Sequence, residues 1–328
     1  ALLYPITKAE YQAGSVPTPA QLFSHSDQSV VWQQTRADAP DRRGWGGRLA
    51  DMFYASNTNQ QLSMNISIDG ENVFQAGDEV IPYFVGQGGA EGIWYVEPWQ
   101  ADRRAAFIAL RDAAHGNALQ RQFASVVRRS MNNQVMVNGA LEGETPLTTT
   151  FPDTHLGRQL QMVARLIHVR NTLQMQRQIF FVGLGGFDTH DNQLADQAEQ
   201  LTELDGALAA FYAATSEMGV ANGVTTFTAS EFGRTTSING DGTDHGWGSH
   251  HLILGGAVNG RRIYGRPPDL SVGGPDDADW GQIIPTASVD QYAATIARWY
   301  GVSPGDMSTV FPNIGRFATP DLGFMGAP

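Results

Sequence analysis

At 328 residues with 41% apolar side chains, the chain is long enough to bury a substantial core, as one large domain or two fused ones. A formal net charge of -12 argues against a nucleic-acid partner, since nothing would neutralise a phosphate backbone. The absence of cysteine removes disulfides, thiolate nucleophiles and Cys-ligated zinc together, and no apolar run approaches the roughly 20 residues of a membrane span.

In chain order, "LFSHSDQSVVWQQ" places Ser24 and Ser26 ahead of a predicted helix, with His25 and Asp27 beside them. A serine there is either an N-cap or a nucleophile favoured by the helix dipole. "LSMNISIDGENVFQAG" predicts a hairpin turning at Asp69-Gly70, and "EVIPYFVGQGG" and "GIWYVEP" predict further short strands, so residues 60-100 form a β-rich insertion. Ala101 to about Met131 has helical composition, and its arginine pairs Arg103-Arg104 and Arg128-Arg129 read as solvated faces. Thr154 to about Arg177 repeats apolar residues at helical spacing.

The second half is more regular. "QIFFVGLGG" predicts a strand buried on both faces, followed by an amphipathic helix carrying Leu194, Leu201, Leu204, Leu208 and Phe211 on one side. "GVTTFTAS", followed by the polar loop "EFGRTTSINGDG", and "HLILGGAV" predict two more strands, and "SVDQYAATIARWYG" a helix capped by Ser288 and closed by Gly301. Strand, helix, strand in that order predicts parallel pairing: a single doubly wound α/β domain over 1-328, its mostly parallel sheet flanked by helices.

Ligands of open α/β sheets bind outside the carboxyl ends of strands. Two clusters fall at such places: "GGFDTHDN", with Asp188, His190 and Asp191, and "DGTDHGWGSHH", with Asp244, His245, His250 and His251. Mixed Asp/His ligation suits zinc, or manganese or iron with more oxygen donors. Only one of His250 and His251 need face the site, because neighbouring strand residues point to opposite faces. Glu231 and Arg234 lie in "SEFGRT", where Arg234 either grips a phosphate or sulfate or pairs with Glu231 as scaffold. Trp247 lines a pocket or fills the core, while His115, His155 and His168 lack partners at ligand spacing.

The motifs "GGFDTHDNQ", "SEFGRT", "DGTDHGWGSHH", "GGAVNGRRIYG" and "IIPTASVDQYAATIARWYGV", with "LFSHSDQSVVWQQ" and "GWGGRLAD" upstream, resemble the bacterial domain-of-unknown-function family 1501 over nearly the whole chain. That family is grouped with the alkaline phosphatase/sulfatase superfamily. The resemblance implies an alkaline-phosphatase-like fold and a metal-dependent hydrolase of phosphate or sulfate esters. It also implies one or two divalent ions held by Asp188, His190, Asp244, His245 and His250 or His251, with Ser24 or Ser26 as nucleophile and Arg234 at the substrate. Superfamily members space the first Asp and His by three residues, where "DTH" spaces them by one. They also carry an initial Asp on a first core strand that has no counterpart here. The implied fold is therefore N-terminally incomplete: the chain was cut, its other piece is a separate fragment, or the site is degenerate; that fragment or a homo-oligomer is the implied protein partner. Family members are often exported by the twin-arginine route, which implies a periplasmic or extracellular home. Two other readings stay open: a non-catalytic exported binding or assembly protein with a structural metal, and a mononuclear iron oxygenase.

Overall fold

A computed structural model of the chain describes residues 1-39 and 41-326. Helices α1 (Lys8–Ala13), α2 (His25–Gln34) and α3 (Trp45–Phe53) come first, followed by strands β1 (Asn65–Ser67) and β2 (Tyr83–Phe84). Helices α4 (Ala101–Asp112), α5 (Ala118–Glu142) and α6 (His155–His168) lead to β3 (Ile179–Phe181), then α7 (Gln193–Glu217) and β4 (Thr225–Phe227). Strands β5 (Arg234–Asn239), β6 (Gly242–His245) and β7 (Ile253–Gly255) precede α8 (Val289–Tyr300) and α9 (Met307–Val310).

The architecture is mixed α/β. A parallel sheet runs in the order β2-β1-β3, and helices cover both of its faces. Alternation along β3 sorts its side chains into the two layers. Phe180 packs into a core built from α5, α6 and α7, including Val137, Leu160, Val163 and Phe211. Phe181 packs into a second core around Trp45, Phe74, Tyr292 and Phe311. The strand is half-buried rather than fully enclosed.

Local chemistry explains the clearest elements. Ser288 and Gln291 form a reciprocal capping box at the start of α8, and Gly301, at φ 120°, ends it. Thr154 caps α6 by accepting from the Gly157 N–H. The helical stretch after Ala101 is two helices, interrupted at residues 113-117, where Asn117 caps α5.

Three expectations change. The Asp69-Gly70 hairpin does not form, because β1 pairs in parallel with β2 and β3 and so becomes the centre of the sheet. "GVTTFTAS" and "HLILGGAV" do become strands, but β4 and β7 pair antiparallel with each other. Finally, "RTTSINGDGTDH" is a hairpin of β5 and β6 rather than a loop. Its two-residue turn sets Gly240 at φ 67°, a conformation that glycine adopts without steric cost. On α7, Ala207, Phe211 and Ala214 are buried, whereas Leu194 and Leu201 at its first turns are exposed.

Candidate metal centre

The β5–β6 hairpin brings the two Asp/His clusters together. Thr243 on β6 donates its backbone N–H to the Thr189 carbonyl at 3.2 Å, and Gln193 donates to the Asp241 carbonyl at 3.2 Å. Gly242 permits this approach, since a Cβ there would lie 2.1 Å from the His190 carbonyl carbon. The stretch 188-193 is thereby laced to β6, and His190 reaches His245.

Four side chains converge. His245 Nε2 lies 3.2 Å from His25 Nε2, 3.2 Å from His190 Nε2 and 3.1 Å from Asp188 Oδ1. Asp188 also meets His190 Nε2 at 3.0 Å through Oδ1 and His25 Nε2 at 3.1 Å through Oδ2. His25, Asp188 and His245 form the tightest group with the reach to hold a metal ion. Ligands 2.0–2.1 Å from a tetrahedral zinc stand about 3.3 Å apart, close to the spacings found here.

The far side of each imidazole explains why these nitrogens point inward. His245 Nδ1 lies 2.8 Å from the Phe23 carbonyl, which can only accept, so Nδ1 carries the proton and Nε2 presents a lone pair. His25 Nδ1 lies 3.2 Å from Glu231 Oε1. Burial alone would raise the Glu231 carboxyl. Hydrogen bonds from its own backbone, His25 and Ser230 outweigh burial and hold it below its ordinary value. An ionised Glu231 thus accepts from His25 Nδ1 and leaves that Nε2 a lone pair as well. His190 Nδ1 faces Asp244 Oδ1 at 3.5 Å. Imidazole lone pairs set 3.2 Å apart repel one another, and a cation between them turns that repulsion into attraction. This is the carboxylate- or carbonyl-backed histidine arrangement of metal sites.

Arg234 holds the Asp188 oxygen that meets His190 and His245: its guanidinium bonds Oδ1 and also Thr243 Oγ1, the Thr243 carbonyl and the Thr189 carbonyl. Burial pushes the Asp188 carboxyl up, but the Arg234 bond and nearby His190 and His245 prevail and keep it ionised below its usual range. Phe232 lies against two of the imidazoles, with ring centroids 4.8 Å from His25 and 4.5 Å from His245.

The remaining sequence-derived candidates fall in several places. Asp244 sits behind His190 and accepts from Asn239 at 3.0 Å. His250 is exposed, with no contact to the cluster among the described residues. His251 packs against Trp32 and Tyr292, at 5.8 and 5.6 Å between ring centroids. The two follow β6 after Gly246, Trp247 and Gly248, so the chain has already left the cluster when they are reached. Among the described residues Arg234 makes no ion pair with Glu231; its guanidinium bonds Asp188, Thr189 and Thr243. Trp247 is 2% exposed and packs with Tyr11 in a third small core.

Ser24 occupies the N-cap of α2, but its hydroxyl makes no cap bond. It donates instead to Asp27 Oδ2 at 2.5 Å and meets Ser26 Oγ at 3.3 Å. His25, the first residue of α2, is 163 positions from Asp188. No spacing rule links such residues, and only the "LFSHSDQ" motif flagged it. Glu231 was visible as a motif residue, but its partner was not.

The molecule is therefore a mixed α/β protein with a partly exposed histidine-carboxylate centre at a strand-hairpin edge. It belongs to the family described as protein of unknown function DUF1501, whose model matches residues 5-278. No curated protein and no solved structure matches the chain.

Proposed function

We propose that this protein is an exported metal-dependent hydrolase of phosphate or sulfate esters, with His25, Asp188, His190 and His245 holding one divalent cation. One observation carries the proposal: His25, Asp188 and His245 face one another with both imidazoles oriented from behind by an acceptor, and His190 Nε2 meets Asp188 and His245 from the other side. A set of three nitrogens and one oxygen suits zinc. The side chains of His25, His190 and Asp188 are 43–45% exposed, as a catalytic site needs and a closed structural zinc site does not.

A bound divalent cation supplies a Lewis acid to an ester oxygen and favours ionisation of a neighbouring hydroxyl. The chain supplies the rest. Ser24, freed from capping, offers its hydroxyl at the positive end of α2, and Asp27 accepts its proton. Ser26 steadies that pair. Arg234 acts as a positioning residue through Asp188. The export, the ester substrate and the alkaline-phosphatase-like relationship rest on the motif resemblance.

A second reading has a specific support. His25, His245 and Asp188 alone make a two-histidine, one-carboxylate set, which is the ligand set of mononuclear iron oxygenases. His190, as a third imidazole, favours zinc. Elemental analysis of the purified protein, with a panel of phosphate and sulfate esters and an oxygen-uptake assay, separates the readings. The hydrolase predicts about one equivalent of zinc and ester turnover lost in both Ser24→Ala and His245→Ala. Metal without turnover in any ester leaves a non-catalytic binding protein, and iron-dependent oxygen uptake replaces the hydrolase by an oxygenase.

A further inference from the structure

Helix α4 and the first half of α5 stand apart from the cores. α4 has no buried residue, and between Ala118 and Ser130 only Ala124 is buried. Leu119, Phe123 and Val126 recur at i, i+4 and i+7, a single helical stripe, and are 83%, 70% and 42% exposed. Leu110 near the end of α4, and Trp94, Tyr95 and Trp99 ahead of it, are 65–79% exposed. Monomeric proteins seldom leave so much apolar surface in one region without a use for it.

The same region inverts the charge of the protein. Residues 101-131 carry Arg103, Arg104, Arg111, Arg121, Arg128 and Arg129 against Asp102 and Asp112, in a chain whose formal net charge is -12. Asp112 is shared by Arg111 and Arg128, at 2.7 Å each. The aromatic segment joins the helices through Arg103, which lies 5.9 Å from the centre of the Tyr95 ring.

We propose that the α4–α5 hairpin and the Trp94–Trp99 segment form a docking surface for an anionic lipid membrane. Basic amphipathic helices bind such surfaces by burying apolar side chains at the headgroup boundary while arginines meet lipid phosphates. Trp and Tyr favour that boundary, with the ring in the apolar layer and the polar edge in water. Attachment is peripheral, since no helix among the described residues is long and apolar enough to cross a membrane.

Two physical considerations decide against other outcomes. A second copy meeting this face in a two-fold dimer would set a surplus of arginine against the same surplus. A head-to-tail contact with the acidic body of another copy gives an open chain unless its rotation happens to close. The acidic body does not cancel attraction to lipid. Charges farther apart than the ~10 Å Debye length at 0.1 M salt are largely screened, so the local surplus of arginine governs contact with lipid more than the net charge does.

Co-sedimentation of the full chain with vesicles tests the proposal, comparing phosphatidylcholine alone with phosphatidylcholine containing about 30% phosphatidylglycerol at about 0.1 M salt. The expected result is at least about tenfold stronger partitioning onto the anionic vesicles, lost at high salt. Leu119→Asp with Phe123→Asp, and separately Arg121→Glu with Arg129→Glu, each reduce that binding about tenfold or more. These positions are exposed, and an unchanged thermal melt confirms that the variants fold. Equal partitioning on both vesicle types, or double variants that bind like the parent, overturns the proposal. So does a dimer in sedimentation equilibrium that Leu119→Asp with Phe123→Asp dissociates, which assigns the stripe to a second copy.

Discussion

Glu231 meets the cluster through His25 Nδ1 and so decides which nitrogen of His25 faces it. Glu231→Gln keeps the shape but replaces an ionised acceptor by an amide whose oxygen accepts more weakly. Removing such a partner typically lowers metal affinity by about 10–100-fold. A zinc titration of the variant is expected to show that weakening with the stoichiometry intact. Unchanged affinity would mean that His25 needs no orienting carboxylate. Arg234 holds Asp188 as Glu231 holds His25, and four bonds tie its guanidinium to Asp188, Thr189 and Thr243. Its role is therefore to keep one carboxylate ionised and aimed.

The β5–β6 hairpin assembles the centre. Gly242 lets β6 lie against the His190 peptide, where a Cβ would come within 2.2 Å of the His190 carbonyl oxygen. Gly242→Ala is expected to lower stability by about 1–3 kcal/mol and to weaken metal binding, because relief of the clash moves His190 away from His245. A variant that binds zinc as tightly as the parent would show that His190 is dispensable. Much of this level was legible in the sequence. Ser288, Gln291 and Gly301 mark the ends of α8 by local chemistry alone, and "IFF" is a strand by its residues. Pairing was not legible. β4 follows a strand and a helix as in a parallel unit, but its three residues bond to β7 instead, a contact formed across 25 positions or more. "SINGDGT" carries its own turn signal in Asn239-Gly240, which its polar composition disguised as a loop. At the site, Asp188, His190, Asp244 and His245 announced themselves by clustering. The resemblance implied one of His250 and His251 as the last ligand, but among the described residues neither meets the cluster. His25 arrives from another part of the chain and has no such signature.

For the whole molecule, the small parallel sheet separates two cores, and the second holds a histidine that contributes to acid sensitivity. His251 packs there against Trp32 and Tyr292, and burial pushes its imidazole down to about 4. Its native state stays neutral where the unfolded chain takes up a proton, below about 6.5. The contribution of this residue to stability is therefore full above pH 6.5. It is lost as the pH falls toward 4, by an amount approaching about 3 kcal/mol. Asp290, raised to about 6 by burial, acts in the opposite sense over part of the same window, so the difference between parent and His251→Phe is the useful quantity. Denaturant melts at pH 7 and 4.5 are expected to show the parent losing more stability than the variant. Equal losses would place the acid sensitivity elsewhere.

The central claim is that residues far apart in the chain, His25 among them, bind one metal ion through Nε2 atoms that the fold holds ready. Zinc titration by calorimetry, on metal-stripped parent protein and on His25→Ala, tests it most directly. The expected parent result is one tight site with about one equivalent bound, with affinity in His25→Ala reduced by about a hundredfold or more. Absence of zinc binding by the parent, or a His25→Ala variant that binds zinc as the parent does, would contradict it.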